Sequence, residues 1–328
     1  MNINEGSYIS AALGAQGAAP AVQVSGLRKS YGKAQNRTDA LVGIDFCVHP
    51  GEIVGVLGPN GAGKTTMISI LEGLVAPDAG RAAVLGEDIS QPGALARVKQ
   101  RLGIAMQHSV LPPLLTVSEL LELLRVLYPQ GREPDLLIEL LGLDAKRDTQ
   151  VRHLSGGQQQ RVAVALALIG DPELVFLDEP TSQLDPQARR AVWDLLLQQR
   201  ARRNAALLVT THQMEEAERL CDRVMILDHG RVLADGSPRA LVEQYCPQRV
   251  LEFLAPADAS LDFLGPDVSV SAASAGQHSV RARPPQLEPA LQELLARQQS
   301  GALQLAELRV SGQTLEDVFL KLTGRRIR

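Results

Sequence analysis

At 328 residues the chain has room for one large and one smaller domain around a sizeable core, and 45% hydrophobic with 21% charged residues is ordinary for a globular protein. The formal net charge of -4 gives no electrostatic reason to expect a nucleic-acid partner, which favours strongly basic domains. Three widely spaced cysteines, Cys47, Cys221 and Cys246, with no CxxC pair, exclude a disulfide framework or a zinc site and read as reduced intracellular thiols. No apolar run approaches the roughly 18 residues that cross a bilayer. The longest, Val162–Ile169, stops at Gly170-Asp171-Pro172. The N-terminus lacks a basic segment followed by an apolar one, so no secretory signal is expected. The chain is expected in the cytoplasm, with any membrane role supplied through a partner.

Residues 1–20 are rich in Ala, Gly and Ser without periodicity and are expected to form a disordered tail. From residue 21 to 245, short apolar runs alternate with amphipathic stretches, the pattern of an α/β domain. Ile53–Leu57 is an apolar run of the kind that forms a strand covered on both faces. It leads into Gly58-Pro59-Asn60-Gly61-Ala62-Gly63-Lys64-Thr65 and then the helical stretch Thr66–Leu74. This spacing, between strand and helix, is that of a P-loop. Its glycines let successive N–H groups turn toward phosphate oxygens, and the helix adds its positive end. Lys64 then reaches the β- and γ-phosphates and Thr65 offers a hydroxyl to Mg²⁺. The plain alternative is a glycine-rich turn with a solvated lysine.

Farther along, Thr116-Val-Ser-Glu119 reads as a capping box opening a helix on which Leu120, Leu123, Leu124 and Leu127 recur. Leu154-Ser155-Gly156-Gly157-Gln158 opens another helix, running to about Ile169, with a serine and two glycines at an end that suits an anion. A serine-capped helix after a turn is its plain alternative. Leu174–Leu177 is a second buried strand, ending in Asp178-Glu179-Pro180. A carboxylate there, opposite a P-loop, is placed to anchor Mg²⁺, and Glu179 to act on water as general base. Leu207–Val209 is a third strand, shortly before His212.

Residues 246–328 read as a small α+β accessory domain. Strands are expected at Val250–Leu254, Val268–Ala272, Ser279–Arg283 and Leu303–Val310. One helix carries Leu287, Leu291, Leu294 and Leu295; Thr314-Leu-Glu-Asp317 caps the last, buried through Leu315, Val318, Phe319 and Leu322. No residue there suggests chemistry, and a regulatory or dimer-contacting role is the expectation.

Taken together, the motifs resemble those of ABC transporter ATPase subunits, over roughly Val22–Leu241 and in the family's order. Gly58–Thr66 is similar to its Walker A, Leu154–Gln158 to its signature motif, and Leu174–Pro180 to its Walker B with catalytic glutamate. The resemblance implies an α/β P-loop NTPase fold with a RecA-like core and a helical subdomain. It implies that Tyr31 stacks on adenine, that Gln107 in Ile104-Ala-Met-Gln107 contacts Mg²⁺ or water and couples to a membrane partner, and that His212 contacts the γ-phosphate. It further implies a head-to-tail homodimer, with each Mg·ATP between one chain's Walker A and the other's Ser155–Gln158, and communication through Asp185. One departure stands out: Gln183 occupies a position where the family usually has glycine. Were φ > 0 required there, Gln would cost on the order of 1 kcal/mol relative to Gly.

Thr211–Arg223 and Leu315–Gly324 resemble bacterial exporters of the daunorubicin-resistance (ABC-2) type, in which a separate ATPase subunit, peripheral at the cytoplasmic face, drives an integral membrane permease. The alternatives are an importer ATPase subunit, a non-transport ABC ATPase of translation or DNA repair, and a nucleotide-binding scaffold. Against the repair class, the short span from Lys64 to Leu154 carries no sustained heptads. Intact Asp178, Glu179 and His212 argue against a scaffold.

Overall fold

The computed structural model describes residues 19–33, 36–106, 110–128, 130–273 and 277–325. The tail read as disordered lies outside them but for residues 19 and 20. Two compact units divide the chain between Pro238 and Arg239.

The first unit contains β1 (Val22–Tyr31), β2 (Thr38–Val48), β3 (Ile53–Leu57), α1 (Lys64–Leu71), β4 (Ala79–Val84), β5 (Glu87–Asp88), α2 (Ala94–Val98) and β6 (Leu102–Ala105). It continues through α3 (Val117–Arg125), α4 (Pro134–Leu140), α5 (Gly156–Leu168), β7 (Leu174–Asp178), α6 (Pro186–Arg203), β8 (Ala206–Thr211), α7 (Met214–Leu220), β9 (Arg223–Asp228) and β10 (Arg231–Gly236). Six strands form one sheet in the order β10-β9-β3-β8-β7-β6, parallel except for the antiparallel edge strand β10. Every residue of β3, β7 and β8 is buried, which explains their unbroken apolar runs. An antiparallel sheet, β2-β1-β4-β5, packs through Val22, Leu27 and Phe46 into the same core as Val54, Phe176 and Leu208. Helix α1 touches β2, β4 and β7, so both sheets hold the P-loop helix.

Register sets the site. Leu57 pairs with Thr211 and Asp178 pairs with Thr210, so the ends of β3, β7 and β8 lie at one edge of the sheet. In open α/β sheets the carboxyl edge is where ligands bind.

Helix α3 forms with the Thr116–Glu119 capping box in place, but its apolar face is divided. Val117, Leu120 and Leu121 are buried, whereas Leu123 is 57% exposed and Leu127, in the turn beyond the helix end at Arg125, is 60% exposed. Helical spacing gave the helix and not which of its leucines lie inside.

The second unit contains α8 (Pro238–Tyr245, its first residue in the other unit), β11 (Val250–Pro256), β12 (Val268–Ala272), β13 (Gln277–Ala282), α9 (Leu287–Gln299), β14 (Ala306–Ser311) and α10 (Leu315–Thr323). Its antiparallel sheet runs β12-β13-β11-β14. Leu251, Phe253 and Val280 pack with Ala290 and Leu294 of α9. The expected Thr314–Asp317 box caps α10, which buries Leu315, Val318 and Phe319.

Candidate nucleotide site

The P-loop turns tightly where β3 ends. Gly63 has φ 110, and a Cβ on it would come within 2.4 Å of the Ala40 carbonyl oxygen, so only glycine fits. Gly58 is excluded from bearing a side chain for a different reason: its Cβ would lie 2.4 Å from the Leu227 carbonyl oxygen. Asn60 and Gly61 are exposed at the loop's tip, while Ala62, Gly63 and Lys64 are buried.

Lys64 is 6% exposed and folds back over its own loop, donating to the carbonyls of Gly58 at 2.6 Å and Pro59 at 3.3 Å. Its Nζ lies 3.9 Å from Glu179 Oε1. Burial holds the Lys64 pKa below its usual value, against the opposing pull of Glu179 and Asp178. Thr65 donates its hydroxyl to Asp178 Oδ2 at 3.2 Å. The two oxygens at this edge offer the donor set that Mg²⁺ takes when substrate phosphates and waters complete its shell. Among the described residues there is no cluster of three or more His, Cys, Asp or Glu that could hold a metal, and Mg·ATP needs none.

Glu179 has φ 51, an uncommon left-handed conformation for a residue with a side chain. Its N–H is held by the Thr210 carbonyl and by Thr210 Oγ1, each at 3.1 Å. The Thr210 hydroxyl in turn donates to Asp178 Oδ1. One buried threonine thereby holds the Asp178 carboxylate and the Glu179 backbone. The signal for this role in the sequence is Thr210-Thr211, polar residues closing an apolar strand just before His212. Glu179 Oε2 accepts from His212 Nδ1 at 3.2 Å, and this hydrogen bond raises the His212 pKa although burial opposes it. Behind the site, Glu216 accepts from Thr181 at 2.7 Å and from the Trp193 indole at 3.0 Å, anchoring the turn after Glu179. None of these three residues was singled out from the sequence.

Glu72, just after α1, is 8% exposed, and its Oε1 has no hydrogen-bond partner among the described residues. Burial, with the Asp178 charge adding to it, pushes its pKa up to about 7.

Ser155, Gly156, Gly157 and Gln158 share no hydrogen bond with this cluster among the described residues. Ser155 caps α5: its Oγ accepts from Gln158 N at 3.3 Å, and its own N–H donates to Gln158 Oε1 at 2.9 Å. Ser155 and Gly156 are exposed. Asp185 caps α6, accepting from Gln187 N at 3.0 Å and Ala188 N at 2.9 Å, bonds that lower its pKa. Gln183 is not among the positive-φ residues, so the backbone strain considered above does not arise. Tyr31, at the end of β1, is 44% exposed, with Lys29 Nζ 5.6 Å from its ring centre. Gln107 lies outside the described residues.

The buried parallel sheet, the P-loop and the acidic strand end beside it define a P-loop ATPase. The sequence profile described as ABC transporter matches residues 41–182. The Nod factor export ATP-binding protein I of Ralstonia nicotianae is 40% identical over 95% of this chain and 96% of its own length. The protein of the same name from a Rhizobium species is 41% identical over 93% of this chain and 97% of its own length. The chain belongs to the ABC transporter family, as an ATP-binding and ATP-hydrolysing subunit.

Two solved structures agree. A dimeric, post-hydrolysis ATP-binding cassette bound to ADP and Pi is 27% identical, with TM-score 0.60, covering 66% of this chain and 98% of that one. An ATP-binding subunit of an ABC transporter is 30% identical, with TM-score 0.60, covering 68% and 92%. Among the described residues no helix is long and apolar enough to cross a membrane.

Proposed function

We propose that this chain works as one of a pair that closes on two Mg·ATP and drives a separately encoded membrane permease of the exporter type, from the cytoplasmic face. The exporter reading is supported by relatives named as export ATP-binding proteins along nearly their whole length. They favour it over an importer or a non-transport role in translation or repair. The pairing is supported by the dimeric cassette of matching fold.

The observation that carries the catalytic reading is Glu179, held between His212 and Lys64 at the end of a buried strand. Lys64 exchanges its two loop carbonyls for phosphate oxygens when nucleotide arrives. The exchange loses little, because those carbonyls are neutral acceptors and the phosphates are charged. Thr65 and Asp178 would hold Mg²⁺ through their oxygens, and the ion would supply positive charge against that building on the phosphates. Glu179 takes a proton from the attacking water. His212 donates through Nδ1 to Glu179, keeping that carboxylate oriented and leaving Nε2 for the γ-phosphate. Tyr31 supplies an exposed ring for the base. Gln107 links the site to the permease, and Ser155–Gln158 reach the partner chain's nucleotide. For the pair to do work, ATP must bind the closed form more tightly than the open one.

The test is Glu179→Gln. Turnover is expected to fall by roughly 10²–10⁴-fold, the usual contribution of a general base, with Mg·ATP affinity retained. Near-normal hydrolysis by this variant would remove Glu179 from the chemistry.

A further inference from the structure

The signature turn and Gln183 meet at the start of α5. A Cβ on Gly156 would lie 2.7 Å from Gln183 Oε1, and one on Gly157 would lie 3.0 Å from the Gln183 carbonyl oxygen. The head of the glutamine therefore lies against Gly156, and its backbone carbonyl against Gly157. The N–H groups of Gly156 and Gly157 belong to the first turn of a helix and have no acceptor within it. The next N–H, of Gln158, is taken by Ser155 Oγ.

Gln183 is exposed, and its carboxamide makes no hydrogen bond among the described residues. It is not a core residue held by packing, and its backbone is not in the left-handed region. Neighbours fix its base: Leu184 is buried, the Leu184 N–H donates to Thr181 O at 3.1 Å, and Asp185 caps α6. A short, anchored turn thus delivers a neutral side chain to the end of α5. That side chain carries one acceptor and two N–H donors. With its oxygen toward the positive helix end, the NH₂ group is left for a second anion-seeking contact.

We propose that Gln183 is a phosphate-contacting residue acting across the pair: its carboxamide N–H donates to the terminal phosphate of the nucleotide held by the partner chain's P-loop, beside Ser155, Gly156 and Gly157. This rests on the paired reading above. The contact exists only when two chains close, so it discriminates ATP from ADP without affecting ATP binding by a single chain. A donor here strengthens the closed state selectively, which is the differential binding that coupling requires.

The test uses the full chain carrying Glu179→Gln, so that ATP is not consumed, with pairing followed by sedimentation as Mg·ATP is raised. Gln183→Ala, Gln183→Glu and Gln183→Lys are compared in that background. Single-chain binding of a fluorescent ATP analogue in dilute protein serves as the control for folding. Gln183→Ala is expected to raise the ATP concentration for half-pairing by about tenfold, the loss of a hydrogen bond to a charged group. Gln183→Glu should raise it further and Gln183→Lys should restore or improve it, with analogue binding unchanged throughout.

A residue that merely spaces the turn would make Glu and Lys equally poor, and that result overturns the proposal. So does tighter pairing by Gln183→Ala, which would mean that the carboxamide blocks the signature turn. If the Glu179→Gln parent itself never pairs, the paired reading fails and the proposal with it. If the parent pairs and the series is flat, Gln183 alone is refuted.

Discussion

The cluster around Lys64 and the turn at Ser155, which the proposed function assigns to the two sides of one phosphate site, are maintained in opposite ways. Lys64, Asp178 and Glu179 are each less than 10% exposed and satisfy one another through Thr65, Thr210 and His212. Ser155 and Gly156 face solvent and are held only by a local capping box. A buried set of charges must be internally paired or folding is penalised, so that half of the site is preassembled. An exposed helix end faces no such demand, because water satisfies it until a phosphate comes. The difference suits a site of which one half binds nucleotide alone and the other half acts only when a second chain closes.

Removing one hydroxyl from the buried half is expected to have the largest effect. Thr210→Val keeps the shape but leaves the Asp178 oxygen it served without that donor, and deprives the Glu179 N–H of its side-chain acceptor. Unfolding free energy should fall by about 1–3 kcal/mol, the range for a buried polar group left unpaired. Hydrolysis should fall with it, since the Asp178 carboxylate and the Glu179 backbone both lose a support. Denaturant melts alongside turnover would show this. Wild-type values in both would mean that the threonine is incidental.

Glu72 sharpens the comparison because it is buried beside Asp178 with an oxygen unpaired. Its pKa rises on folding from 4.5 to about 7. Well below pH 4.5 it is protonated in both states and has no linkage effect. Between these values the unfolded chain sheds the proton and the folded chain keeps it, so stability falls as pH rises through that window. Glu72→Gln cannot ionise. Its stabilisation should therefore grow from near zero at low pH to on the order of 1–3 kcal/mol above pH 7. Melting curves across pH that run parallel for the two proteins would contradict this.

At the exposed half a smaller effect is expected. Ser155→Ala removes the cap of α5 and should lower stability by about 1 kcal/mol, as such replacements do. ATP binding by the single chain should be unaffected while ATP-driven pairing weakens. Equal loss in both assays would erase the distinction between the halves.

Much of this architecture was legible because the physics left few choices. Ile53–Leu57 and Leu174–Leu177 had to be covered strands, and the P-loop spacing between strand and helix constrained what followed. The caps of α3, α5 and α10 were readable because Ser or Thr with Glu, Gln or Asp three residues on is a local rule. What is not legible in the sequence depends on tertiary neighbours. Thr210 matters only because β7 and β8 are in register, a pairing of residues far apart in the chain. Glu179's left-handed backbone, at φ 51, is likewise not written in the local sequence. The exposure of Leu123 depends on what packs against α3, which spacing within the helix does not encode. Gln183 reads from the sequence as a missing glycine, whereas the place of its side chain against Gly156 depends on the fold.

The central claim, that the buried half binds ATP and the exposed half completes the site across two chains, is tested most directly by weighing the full-length Glu179→Gln protein in solution and counting its bound nucleotide. With Mg·ATP the account predicts a doubled mass carrying one ATP per chain, and with Mg·ADP a single chain. A protein that fills with ATP and stays single would contradict it.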